Sequence, residues 1–119
     1  MTRDLLIVED DKDLGALFKE IIEERGHFNV TLIEDGQVAL DYLKSQSVDA
    51  VLLDLHLPHV SGLTILDFIR TTPHLSSTPV VVASADDTAL KLAEEQADRV
   101  VMKPINFHHL DDIINFFMK

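Results

Sequence analysis

The segment AVLLDLHLPHVSG, residues 50–62, joins four consecutive apolar residues, Ala50 to Leu53, to a single carboxylate, Asp54. A short run of branched apolar residues without polar alternation is what a strand covered on both faces of a parallel sheet requires. A charge left uncompensated at the end of such a strand is strongly disfavoured by desolvation. The run therefore specifies a buried strand and also demands a partner for Asp54.

Three further runs share this character: Leu5 to Val8, Val80 to Ala83, and Val100 to Met102. A fifth segment, HFNVTLIE from His27, alternates instead, with Phe28, Val30 and Leu32 on one side, and reads as an edge strand. Helical spacing fills the intervals. Leu14, Leu17, Phe18, Ile21 and Ile22 form one stripe, closed by Gly26 after Arg25, and Leu110, Ile113, Ile114 and Phe117 form another. Shorter helices fit residues 36–46, 62–71 and 87–96, the second of them ending before Pro73. Strand and helix thus alternate five times, which predicts an α/β fold, a doubly wound five-stranded parallel sheet with right-handed crossovers. No linker or repeat interrupts residues 1–119, and TTPHLSSTP (71–79) reads as a helix-to-strand loop, so a single domain is expected, with no output domain in this chain.

Composition restricts function. Twenty-one acidic against ten basic residues leave a formal charge of −11, a field that repels phosphate backbones and anionic lipid, so neither direct nucleic acid binding nor membrane binding is expected. Metal cations and basic protein surfaces suit it. The absence of cysteine excludes disulfides and thiolate metal sites. The opening MTRDLLIVEDD turns acidic before a signal-peptide core forms, and no stretch approaches membrane-spanning length, so a cytoplasmic location is expected.

Each buried run stops at a polar residue: Glu9 and Asp10 after the first, then Asp54, Ser84 and Lys103. In a parallel sheet these are all carboxyl ends, and they converge on the edge where open α/β folds place their ligands. Three carboxylates gathered there suit Mg2+, which takes oxygen ligands and retains waters. A cation would also relieve their mutual repulsion. With the metal and the Lys103 ammonium neutralising the transferring oxygens, Asp54 becomes a plausible phosphoryl acceptor, and Ser84 a donor to a phosphoryl oxygen. The plain readings differ: Asp11 and Asp13 as helix caps, Glu9 and Asp10 as further caps, Lys103 as a structural ion pair, Ser84 as a satisfied loop hydroxyl, and His108 and His109 as caps of the last helix.

At these residues the chain resembles the response-regulator receiver domain of two-component signal transduction, the CheY-like superfamily, from Leu5 to about Phe117. The resemblance rests on VED with Glu9 and Asp10, LLDLHLPHVSG with Asp54, Pro58 and Gly62, VVVASA with Ser84, and MKP with Lys103 and Pro104. It implies a flavodoxin-like fold with strand order 2-1-3-4-5. It also implies Mg2+ held directly by Asp10, Asp54 and the backbone carbonyl of His56, with Glu9 acting through water. Ser84 and Lys103 would contact the phosphoryl group, and Pro58, Gly62 and Pro104 would be structural, the last after a cis peptide.

His56 and Asp86 occupy the positions that border the phosphoryl site and tune its lifetime. The implied partners are a histidine kinase or histidine phosphotransfer protein and a downstream protein. The chain departs from the family pattern at Val100, where the switch usually carries an aromatic ring. The interval from Ser84 to Lys103 is also about three residues short, which predicts a truncated or reoriented fourth helix. Two alternatives stand beside this reading: a receiver-like interaction module that works without phosphorylation, and a phosphohydrolase of the haloacid dehalogenase type. The second wants an aspartate two residues after the nucleophile, where this chain has His56.

Overall fold

Alternate residues of one sheet supply two separate cores. The computed structural model describes residues 2–119. Its elements run β1 (Arg3–Val8), α1 (Lys12–Glu24), β2 (Phe28–Ile33), α2 (Gly36–Ser45), β3 (Ala50–Asp54), α3 (Gly62–Thr71), β4 (Val80–Ser84), α4 (Asp87–Ala93), β5 (Arg99–Met102) and α5 (Phe107–Met118). All strand pairings are parallel, in the order β2-β1-β3-β4-β5. This is the doubly wound, flavodoxin-like arrangement expected. Leu6, Val8, Val51, Leu53 and Val82 face α2, α3 and α4, while Leu5, Ile7, Leu52 and Val81 face α1 and α5. β3 and β4 are buried along their whole length, and each fully buried Val, Leu or Ile contributes about 1.5 to 3 kcal/mol.

The helix boundaries follow local chemistry. Asp11, Asp35, Ser61, Asp86 and Asn106 are the N-caps of α1 to α5, each side chain accepting from amides in the first turn. Asp11 thus has the capping role read for it, and Asp13 lies in the same first turn. Gly26 ends α1 at φ +77°, a left-handed position natural to glycine. α5 buries all four residues of its expected stripe and opens with a reciprocal cap between Asn106 and His109. Among the described residues no helix is long and apolar enough to cross a membrane.

Three expectations need correction. Val100 to Met102 is not covered on both faces: β5 is the second edge of the sheet, with Arg99 and Met102 exposed and Val100 and Val101 half-buried. Leu17 does not join the buried stripe of α1. Gly15 takes the inward place, with Leu32 packed so closely that a Cβ there would lie 2.7 Å from Leu32 Cδ1.

The third correction concerns α4, which ends at Ala93 rather than at residue 96. Its truncation is stabilised from outside. Arg70, in the last turn of α3, donates from Nε to the Gln96 carbonyl at 2.6 Å, and from Nη1 to the carbonyls of Thr78 at 2.7 Å and Ser76 at 3.2 Å. Its Nη2 reaches Asp98 Oδ2 at 2.8 Å, an oxygen that also accepts the Val80 amide at 2.7 Å. One guanidinium therefore satisfies the backbone where the short helix leaves off.

Candidate functional site

Glu9 and Asp10 follow β1, Asp54 closes β3, Ser84 closes β4, and Lys103 follows β5, so the carboxyl edge gathers all five. Oxygens of Glu9, Asp10 and Asp54 lie within 4.8 Å of one another. The Lys103 ammonium donates to Glu9 Oε1 at 2.8 Å and to Asp54 Oδ2 at 3.2 Å. The peptide between Lys103 and Pro104 is cis, as the resemblance implied. Glu9 and Asp54 are buried, whereas Asp10 is exposed and has no ion-pair partner among the described residues.

Backbone groups fix the remaining atoms. The His56 amide donates to Asp54 Oδ1 at 3.1 Å and the Asp11 amide to Glu9 Oε2 at 3.2 Å. Ser84 is fully buried; its Oγ accepts the Asp86 amide at 3.0 Å, and its carbonyl accepts the Lys103 amide at 2.9 Å. Gly62 has no room for a side chain, since a Cβ there would fall 2.3 Å from the Asp54 carbonyl oxygen. The close approach ties the start of α3 to the end of β3. A cleft of about 530 Å3 opens beside the cluster, bounded by Asp10, Leu14, Ala85 and Pro104.

The electrostatics are unbalanced. Three carboxylates gather beside one ammonium that touches only two of them, Glu9 and Asp54, and burial pushes the Glu9 carboxyl up to about 7, against the lowering effect of its bond to Lys103; the neighbouring Asp54 raises it further. Burial alone would lower Lys103, but its contacts with Glu9 and Asp54 outweigh that and leave it raised. The two shifts belong to different ranges of pH. Glu9 supports the ammonium as an anion only where Glu9 is ionised, above about pH 7. A hard dication restores the balance, and a donor set made wholly of oxygens fits Mg2+.

Two neighbouring residues, His56 and Asp86, approach each other. His56 Nε2 lies 3.6 Å from Asp86 Oδ2 across the mouth of the site, while Asp86 Oδ1 caps α4 through the amides of Thr88 and Ala89. Val100 pairs with Val82 in the sheet and packs on the α2–α3–α4 core. At this site sequence reasoning missed one contact set. Asp35 meets His59 and the adjoining Gly36 amide donates to the Pro58 carbonyl, so the loop after Asp54 is fastened to α2; the Asp-Gly pair at a helix start was the available signal.

Comparison with known proteins places this geometry. Residues 5–115 match the family model described as the response regulator receiver domain. The transcriptional regulatory protein CpxR of Escherichia coli is 38% identical over 109 residues, which cover 89% of this chain and 45% of CpxR. The chain thus spans under half the length of that relative. The polar-differentiation response regulator DivK of Brucella ovis is 29% identical over 123 residues, covering 99% of this chain and 98% of DivK. The response regulator receiver domain (CheY-like) from Methylobacillus flagellatus superposes with a TM-score of 0.83 at 31% identity, covering 98% of this chain and 99% of that one.

Proposed function

Because the chain belongs to the response-regulator receiver family, we propose that it is a phosphoacceptor switch that takes a phosphoryl group onto Asp54 in the presence of Mg2+. The observation that carries this is the single ammonium of Lys103 placed against both buried carboxylates, with Asp10 exposed beside them.

In the proposed reaction an Asp54 carboxylate oxygen attacks the phosphorus of a phosphohistidine on a histidine kinase or histidine phosphotransfer protein. The P–O bond forms as the P–N bond breaks, the imidazole leaves, and an acyl phosphate remains on Asp54. Asp10, Asp54 and the His56 carbonyl are the groups that would hold Mg2+, with Glu9 one water further out. Bound there, the ion neutralises charge on the transferring phosphoryl oxygens. Lys103 supplies the second positive charge, and the Ser84 hydroxyl turns from its local bond toward the new phosphoryl oxygen. His56 and Asp86, facing each other across the mouth, govern access of water and so the lifetime of the acyl phosphate.

The domain catalyses its own labelling and its own hydrolysis, and its output is a change in partner affinity. A cytoplasmic location suits such an exchange, and the charge of −11 directs the chain toward proteins rather than nucleic acid. Acetyl phosphate with Mg2+ should add one phosphoryl group, seen by intact mass, and Asp54→Asn should abolish it. Labelling that survives in the variant, or that needs no metal, overturns the assignment. Failure of the wild-type chain to label would favour the phosphate-independent module.

A further inference from the structure

The loop from Leu55 to Ser61 carries the His56 carbonyl and leads out of Asp54, and it is held at both ends by glycine contacts. At its far end Gly62 donates its amide to the Leu55 carbonyl at 3.0 Å. In its middle the Gly36 amide donates to the Pro58 carbonyl at 3.1 Å, and the Val60 carbonyl oxygen fills the space of a Gly36 Cβ, 1.8 Å from where that atom would stand. Between these two contacts lies His59, the one non-glycine residue of the described chain with a positive φ, +68°. That conformation is disfavoured for any residue with a Cβ. The His59 ring turns back onto Asp35: Nδ1 pairs with Asp35 Oδ2, while Asp35 Oδ1 accepts the amides of Gln37 at 2.8 Å and Val38 at 3.0 Å.

We propose that Asp35 is a positioning residue for the acceptor site, its carboxylate fastening the loop after Asp54 to the start of α2 and so placing the His56 carbonyl toward the metal. One oxygen caps the helix and the other holds His59 in its disfavoured conformation. The Val38 amide, and after it the His59 ring, hold the Asp35 carboxyl below the usual carboxylate range, as both contacts require of an anion. The coupling runs through the His59 ring and the Asp35 carboxylate, both outside the acidic cluster. It gives the loop a mechanical tie to α2 that is independent of Val100 and β5. The inference rests on the metal-dependent reading above, and it adds to that reading the group that sets the metal affinity from outside the cluster.

The test separates positioning from folding. Asparagine caps helices as well as aspartate and tolerates a positive φ, so Asp35→Asn and His59→Asn keep the backbone while removing the charged contact. Initial rates of labling of the full chain by acetyl phosphate are measured over a magnesium titration, with magnesium binding followed separately by NMR. Each variant should raise the half-saturating magnesium concentration by about 2- to 5-fold, the range of an exposed ion pair, with the rate at saturating magnesium unchanged. The double variant should be no worse than either single. A wild-type magnesium dependence in both singles, or effects that multiply in the double, overturns the positioning role. If the wild-type chain binds magnesium but is not labelled, the phosphoacceptor reading falls, and the NMR titration of the variants still decides the role of Asp35. If it does not bind magnesium, both fall.

Discussion

Lys103 lies nearer to Glu9 than to Asp54: its Nζ is 2.8 Å from Glu9 Oε1 and 3.2 Å from Asp54 Oδ2. In the absence of metal the ammonium therefore does part of the work that a dication would do, offsetting the repulsion between two buried carboxylates. Lysine and a bound dication would compete for the same negative charge.

Removing the lysine should consequently help the metal and hurt the chemistry. Lys103→Ala should tighten magnesium binding by about 2- to 10-fold, since it deletes a positive charge beside the cation. Labelling by acetyl phosphate should fall by about 10-fold or more, because the developing charge on the phosphoryl oxygens loses a fixed partner. Asp10→Asn should weaken magnesium binding. Calorimetric titration of both variants decides the matter, and equal losses of affinity would make Lys103 a structural strut.

The position of Glu9 predicts a pH dependence of opposite sense to the usual carboxylate. Its folded value, about 7, stands above the ordinary 4.5, so between those limits the folded chain binds more protons than the unfolded one. Stability without metal should then be greatest below about pH 4.5 as far as this group is concerned, fall as pH rises through 7, and level off above it. Between pH 5.5 and 8 the loss is on the order of 2 kcal/mol. Urea midpoints in the presence of a chelator, compared between wild type and Glu9→Gln at pH 5.5 and 8, isolate the effect. The variant should lack the decline, and magnesium should reduce it in the wild type. Parallel pH profiles for the two proteins would place the Glu9 shift in doubt.

Arg70 offers a stability prediction away from the site. Its guanidinium satisfies the Gln96 carbonyl and Asp98 after the shortened α4 and the Ser76 and Thr78 carbonyls in the loop before β4, and little of it is exposed, 18% of the side chain. Arg70→Ala should cost about 2 to 4 kcal/mol, because carbonyls and a carboxylate lose their donors together. Arg70→Lys should recover only part, since an ammonium cannot span the same fork. Urea denaturation measures both. A lysine variant as stable as wild type would show that one contact, not the fork, matters.

The features legible in the sequence were those written within a few residues of one another. The runs before Glu9, Asp54, Ser84 and Lys103 gave four strands because continuous apolar stretches suit a parallel sheet, and Pro73 marked the end of α3, whose expected range, 62–71, is the one observed. β5 was misread because three apolar residues look alike at the centre and at the edge of a sheet, and only the pairing order shows that nothing covers its far side. Leu17 was misplaced because periodicity favours the larger residue, whereas the close approach of Leu32 selects Gly15. The contacts of Arg70 with Gln96 and Asp98 and of Asp35 with His59 join residues 24 to 28 positions apart, and beyond the Asp-Gly pair that opens α2 no local pattern points to them.

Val100 carries the last prediction. Its side chain belongs to the α2–α3–α4 side of the sheet, half-buried, while the hollow of about 180 Å3 along β5, which Val100 borders, is framed for the most part by Val81, Val101 and Ile113 on the α5 side. A tyrosine at position 100 would point away from the bulk of that hollow. Turned inward it meets the packed surface of Val82, Leu90 and Ala93, and overpacking of this kind costs about 1 to 3 kcal/mol. Beryllofluoride with magnesium, as a mimic of the phosphoryl group, should strongly shift amide resonances of residues 54–60 and 84–88, where Asp54 and Ser84 act on their own loops. Shifts at residues 99–102 should be smaller, since no ring at β5 relays the movement. Val100→Tyr should lower the urea midpoint and leave this pattern unchanged. Large, cooperative shifts through β5 and α5 in the wild type would establish an aromatic-free relay along that edge, because a switch requires contacts that differ between two states.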